Sequence, residues 1–238
     1  MGLFDSPVRQ LQAWLDPKRA AAALREFPAH PERFWPEASS LVLEEDAALE
    51  LGHPSLGSLS FLLWTEADPG RGDRILLLGP DLFELKVKRA PLAQVLLVRG
   101  LFKDEYESYR ELREAVYETK LAGLMTRVLP SRQTVWSRAT RPALEQGLSV
   151  AHLGAALIRN LKQLSSVSSV WALFVTESRE EIARLQEIGE ETAAIAGALL
   201  KMNEEMSFDC ASCEFEATCE KIVELKQIRE KLLRRKSP

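Results

Sequence analysis

The sequence predicts an α/β protein: a layered sheet with flanking helices, mixed α+β being the alternative, and a helical C-terminal region that carries a cysteine segment. Three observations predict it. Residues 59–64, 75–78, 92–98 and 170–175 are short, nearly continuous apolar runs, as expected of strands covered on both faces. Stretches with apolar residues three or four apart, opened by capping signals, lie between and after them. Finally Cys210, Cys213 and Cys219, the only cysteines, fall within ten residues near the end of the chain.

The start reads as two short helices. Ser6 with Pro7, and Asp16 with Pro17, each place a capping residue before a proline suited to the first helical turn. Val8, Leu11 and Leu15, then Ala20 and Leu24, supply the apolar stripes. Pro28, Pro31 and Pro36 enforce an extended connector, with Phe34 and Trp35 as anchors onto the body. Gly70, Gly72 and Asp73 mark the turn between the first two strands, and Gly79-Pro80-Asp81 ends the second. Phe102, Tyr106, Tyr109, Leu112 and Val116 then define a long helix.

After Pro130 the pattern alternates regularly. A strand is predicted at 134–137. Thr140 and Pro142 open a helix that Gly147 closes, and Ser149 opens another through Leu161. The run at 170–175 is a buried strand, and Ser178 with Glu181 forms a capping box on a long helix. A charged helix begins at about Lys221. The predicted organisation is 1–40 as N-terminal helices and connector, 41–206 as an α/β core, and 207–238 as metal segment and basic helix.

Composition narrows the function classes. The chain of 238 residues is 46% hydrophobic and 28% charged, ordinary for a globular protein. No apolar run approaches the roughly 20 residues that span a bilayer, and the first residues lack the basic and apolar regions of a signal peptide. A cytoplasmic protein without a membrane partner is expected. The net charge of −4 argues against nucleic acid. Between 177 and 220, 12 acids against 3 bases leave a local −9, and between 221 and 238, 7 bases against 2 acids leave +5. The tail reads as a solvated helix end favourable to its dipole rather than as a docking patch. No P-loop, Rossmann fingerprint or Ser-His-Asp spacing is present.

The cysteines form a C-x-x-C pair followed by a third thiol. Soft thiolates grouped in this way suit zinc or an iron–sulfur cluster. An odd number in a reducing compartment argues against a structural disulfide. The surrounding acids raise the thiol pKa values, which argues against a thioredoxin-like pair. Spacing alone leaves zinc and iron–sulfur equal.

Several ordered segments extend the reading. They are Glu50-Leu51-Gly52-His53-Pro54, Phe61-Leu62-Leu63-Trp64-Thr65, and Gly72-Asp73-Arg74-Ile75-Leu76-Leu77-Leu78-Gly79-Pro80-Asp81. Val135-Trp136-Ser137-Arg138 follows, then Gly147-Leu148-Ser149-Val150-Ala151-His152-Leu153-Gly154, and the 170–175 strand running into Thr176-Glu177. From about Val42 to Cys219 the chain resembles the beta subunit of the CO dehydrogenase/acetyl-CoA synthase complex. In that family the cysteine segment carries a [4Fe–4S] cubane bridged to a nickel site where methyl, CO and coenzyme A are joined. The resemblance implies that Cys210, Cys213 and Cys219 stand where the first cubane ligands stand, and it favours iron–sulfur over zinc. This sequence departs from the pattern by a shorter interval to the third cysteine, no fourth cubane cysteine and no Cys-Gly-Cys for the distal nickel. The full acetyl-CoA synthase mechanism is therefore not expected of this chain alone.

The resemblance also implies that arginines near Trp136 meet coenzyme A phosphates. Arg132, Arg138 and Arg141 with Trp136 are the candidates, Arg127 lying nearby. Solvated arginines around a core tryptophan are the competing reading. His152 is expected to cap or pack, and His53, beside Pro54, to sit in a turn. The functional expectation is an accessory iron–sulfur protein in anaerobic one-carbon metabolism, acting in electron transfer or complex assembly. CO dehydrogenase or corrinoid protein subunits, or a second copy of the chain, are the expected partners. The alternatives are an acyl or methyl transferase using coenzyme A or a corrinoid protein, and an interaction module stabilised by zinc.

Overall fold

The computed structural model describes residues 2–31, 33–70, 72–204 and 214–236. The N-terminal stripe forms one helix, α1 (Asp5–Ala20), in place of the two expected, with Pro17 inside it. Pro17 removes an amide donor only where the helix is about to end, so the break is not enforced. A positive φ of 52° at Ala22 then turns the chain into β1 (Leu24–Phe27). Leu24, read above as part of a helical stripe, lies opposite Leu78, and Phe27 lies opposite Ile75. Pairing with an apolar run overrides the helix propensity of the preceding alanines.

The connector is extended, as its prolines require, and both aromatic anchors engage. Trp35 Nε1 donates to Ala122 O at 2.9 Å, and Phe34 packs under the Arg159 guanidinium 4.7 Å away. β2 (Ala47–Leu51), β3 (Ser58–Thr65) and β4 (Arg74–Leu78) follow, then a 3-10 turn at Leu82–Glu84, β5 (Arg89–Ala90) and β6 (Leu92–Gly100). α2 (Glu105–Tyr117) is capped by Asp104, whose side chain accepts from Glu107 N at 2.9 Å. β7 (Leu124–Leu129), β8 (Thr134–Thr140), α3 (Arg141–Glu145), α4 (Val150–Leu161), β9 (Val167–Val175) and α5 (Arg179–Glu204) complete the core. α6 (Glu216–Lys221) and α7 (Val223–Lys236) pack beside α5.

Among the described residues the strands form two sheets. Five lie in the order β1-β4-β9-β6-β3, with neighbours alternately antiparallel and parallel. Four lie in the order β5-β2-β8-β7. Register and pleat assign the faces of the larger sheet. Ile75, Ala172, Leu96 and Leu62 stand side by side on one face; Leu76, Leu173, Val95 and Phe61 line the other. α4 packs on the first row through Gly154 against Ile75, and α5 on the second through Gly189 against Leu59 and Phe61. Helices on both faces explain why these strands read as unbroken apolar runs rather than alternating ones.

The smaller sheet is fastened to the edge of the larger. Ser58 Oγ donates to Val135 O at 2.7 Å and accepts from Val135 N at 3.0 Å, and Ser60 N donates to Gln133 O at 2.7 Å. Gly52, at φ +70°, lets the two backbones touch: a Cβ there would fall 2.0 Å from Val135 O.

The α4 contact gives a test. Alanine normally stabilises an exposed helix over glycine by about 1 kcal/mol. A Cβ at Gly154 would stand 2.8 Å from Ile75 Cγ2 and 2.9 Å from Cγ1. Gly154→Ala is therefore expected to reverse the sign and lower stability by about 1–3 kcal/mol, read as a lower urea midpoint at unchanged slope.

Candidate functional site

The residues singled out from sequence fall into three places. The first is the outer face of the smaller sheet. Register sets Arg89, Glu50, Arg138 and Met125 in one cross-strand row, with Trp136 two residues along β8 on the same face. Trp136 Nε1 donates to Glu50 Oε1 at 2.8 Å, and Arg89 Nε donates to Oε2 at 2.7 Å. Arg138 lies 4.5 Å over the Trp136 ring, 3.3 Å from Glu50 Oε1 and 3.6 Å from Glu44. Burial pushes the Glu50 carboxyl up, but the indole and Arg89 hydrogen bonds, with the charges of Arg89 and Arg138, hold it below the usual carboxylate range.

The structure brings Trp136 and Arg138 together and joins them by Glu50, a carboxylate that sequence did not single out. Glu50 is 8% exposed. Its signal was an acid flanked by leucines in a strand that sequence did not identify. Arg132 and Arg141 do not join this group. They sit exposed before and after the seven residues of β8, which at about 3.3 Å each keep them roughly 20 Å or more apart. Arg141 lines a separate, open depression of about 530 Å³ with Phe83, Lys86, Val87, Lys88 and Glu145.

The second place is a buried joint around Asp81, which is 1% exposed. Asp81 Oδ1 accepts from Leu82 N at 2.6 Å and Val150 N at 2.8 Å, and Oδ2 accepts from Ser149 Oγ at 2.7 Å. Ser149 Oγ in turn accepts from Ala151 N at 2.9 Å, while Ser149 N donates to His152 Nδ1 at 3.1 Å. The first amides of α4 are satisfied by this set. Glu84 accepts from Asp81 N at 2.7 Å and pairs with Arg25 at 2.8 and 2.9 Å, and these bonds hold its carboxyl at about 2.

Although serine, histidine and aspartate meet here, the wiring is that of a cap. Asp81 holds the serine directly, and the histidine accepts from a backbone amide. His152 packs against Trp35 at 4.8 Å between ring centroids, so it caps and packs as its position in the sequence indicated. His53 sits in a turn, its Nδ1 2.7 Å from Ser55 Oγ.

The third place is the cysteine segment. Cys210 and Cys213 lie outside the described residues. Cys219 lies on α6 and is 5% exposed. Phe215, just before α6, fits against Gly197 of α5, where a Cβ would come within 2.7 Å of the ring, and Leu225 of α7 is fully buried. Glu220 meets Lys226 at 2.9 Å and Arg229 at 2.8 Å, so part of the basic tail is used within the α6–α7 pair. Among the described residues no three His, Cys, Asp or Glu side chains stand close enough to hold a metal.

His152 carries a pH test. Burial lowers its pKa, and the Asp81 charge only partly opposes this. A histidine depressed in the folded state binds its proton more weakly than in the unfolded chain. Stability is then full above the ordinary value near 6.5 and is lost as pH falls through the lower folded value. His152→Gln keeps a side chain able to close the capping box without titrating. It is expected to match the parent at pH 7.5 and to flatten the stability loss below pH 6.5, read by thermal melts across pH.

The family model described as "CO dehydrogenase/acetyl-CoA synthase complex beta subunit" matches residues 40–182, more than half of the chain, ending in the first turn of α5 and before the cysteines. The acetyl-CoA decarbonylase/synthase complex subunit beta of Archaeoglobus fulgidus is 24% identical over 177 residues, 71% of this chain and 33% of that protein. Subunit beta 2 of the Methanosarcina acetivorans complex is 27% identical over 171 residues, 71% of this chain and 34% of that protein. The chain thus spans about a third of the length of the curated relatives it matches. The matched residues include both joints, Glu50 with Trp136 and Arg138, and Asp81 with Ser149; on that match the chain belongs to the CO dehydrogenase/acetyl-CoA synthase complex beta subunit family.

Proposed function

We propose that the chain is an accessory iron–sulfur protein related to the acetyl-CoA synthase beta subunit, acting in electron transfer or complex assembly in anaerobic acetyl-CoA metabolism. The observation that supports it is the burial of Cys219 on α6, packed beside α5 and α7, at the end of the segment that contains Cys210 and Cys213. A thiol in apolar surroundings stays protonated unless a metal takes the proton's place. On this reading Cys219, on a packed helix, would be the third ligand, separated from the C-x-x-C pair by five residues in sequence. A cluster bound there supplies one-electron redox chemistry, whereas zinc supplies only a crosslink. CO dehydrogenase or corrinoid protein subunits are the partners this reading names, with a homodimer as a further arrangement.

The reading as an acyl or methyl transferase using coenzyme A or a corrinoid protein stands behind it. Arg138, the arginine stacked on Trp136, is already met by Glu50 and Glu44, so a phosphate would have to displace a carboxylate.

Anaerobic purification followed by iron, sulfide and zinc analysis and a visible absorption spectrum tests the proposal. Iron and sulfide in near-equal amounts, with broad visible absorption, is the expected result. Colourless protein holding one zinc, and no iron after anaerobic reconstitution, rejects the cluster in favour of the interaction module.

A further inference from the structure

The depression beside α3 is not part of the cysteine segment or of either joint. Its rim carries three cations, Lys86, Lys88 and Arg141, which form no ion pair with any described residue. Neighbouring cations are matched: Arg25 by Glu84, Arg89 by Glu50 and Glu44, Arg138 by the same two acids. Glu44, Glu50 and Glu84 are thereby engaged, and Glu145 faces three positive charges on the rim. A local excess of positive charge on a chain of net charge −4 runs against the protein's own field.

The same rim exposes large apolar side chains. Phe83 is 47% and Val87 53% exposed, and Leu85 with Leu144 of α3 lines the depression beside them. A bare phosphate would use the cations and leave these side chains in water. Nucleic acid would require a longer basic track than three residues provide. An acidic segment that also presents an apolar side chain uses both features: the side chain enters the depression, whose volume of about 530 Å³ is ample for it, and the carboxylates meet the rim.

We propose that the depression lined by Phe83, Val87, Lys86, Lys88 and Arg141 docks an acidic, amphipathic segment of a partner protein. It lies on the α/β core, so it stands or falls independently of the metal reading. A second copy of this chain is disfavoured as occupant, because a basic patch meeting an acidic one elsewhere is a head-to-tail contact that extends into open chains.

The probes are a random glutamate–tyrosine copolymer, polyglutamate, and ADP, titrated by fluorescence anisotropy or calorimetry against the full chain. Two variants, K86E/K88E and F83A/V87A, alter only exposed side chains, and unchanged melting temperatures confirm their folding. The copolymer is expected to bind, with polyglutamate about tenfold weaker and affinity falling as salt rises. K86E/K88E should weaken the copolymer at least about tenfold, and F83A/V87A should reduce it to the level of polyglutamate. The proposal is overturned if polyglutamate binds as well as the copolymer, or if neither variant changes copolymer binding. It is equally overturned if ADP binds through Lys86 and Lys88 while the copolymer does not, or if the parent self-associates and K86E/K88E abolishes it.

Discussion

The buried carboxylate of Asp81 is the constraint on which the main body depends. It stands at the end of β4, where the Gly-Pro-Asp turn leaves the larger sheet, and accepts three hydrogen bonds, two of them from Ser149 and Val150 at the start of α4. A carboxylate this buried is tolerable only when its oxygens are fully engaged, and the unsatisfied amides of a helix N-terminus are suitable donors. One side chain therefore fixes the position of α4 relative to β4. Through its backbone amide to Glu84, and from Glu84 to Arg25, the same turn also holds β1 on the sheet edge. Thr176 closes the other side, its hydroxyl donating to Pro80 O at 2.6 Å.

Glu50 plays the corresponding part in the smaller sheet, where one carboxylate on β2 receives the Trp136 indole and two guanidinium groups from the flanking strands β8 and β5. Both acids lie within the region that the family model matches. Glu50, Asp81, Val135 to Arg138 and Gly147 to Gly154 are far apart in sequence and meet in pairs in the structure. Their shared role is architectural: they join sheets and set helix positions. The cysteines come after the matched region, with Cys219 on α6.

The sequence was most legible where a local rule and the tertiary structure agree. The continuous apolar runs became β3, β4, β6 and β9 because helices cover both faces. Thr140, Ser149 and Ser178 marked helix starts because capping is a local interaction. It misled where long-range pairing decides. Leu24 followed an alanine-rich stretch that favours helix, yet serves as an edge strand because β4 offers an unpaired partner. The Ala-Ala-Leu-Glu-Leu of β2 has no β-branched residue, and only β8 and β5 on its two sides make it a strand. For the site, sequence could place Trp136 beside Arg138, two residues away on one strand face. It could not show that Arg141 shares a depression with Lys86 and Lys88 from a distant loop.

The cysteines remain the feature on which the functional account turns, and Cys219 is where structure and chemistry meet. It is a buried thiol on a packed helix, one short segment from a C-x-x-C pair. X-ray absorption at the metal edge of the anaerobically loaded protein, compared with Cys219→Ser, tests the account most directly. The account predicts iron in a sulfur-dominated first shell in the parent, and a lower iron and sulfide content in the variant. A shell of nitrogen and oxygen, or an iron and sulfide content unchanged by Cys219→Ser, would contradict it.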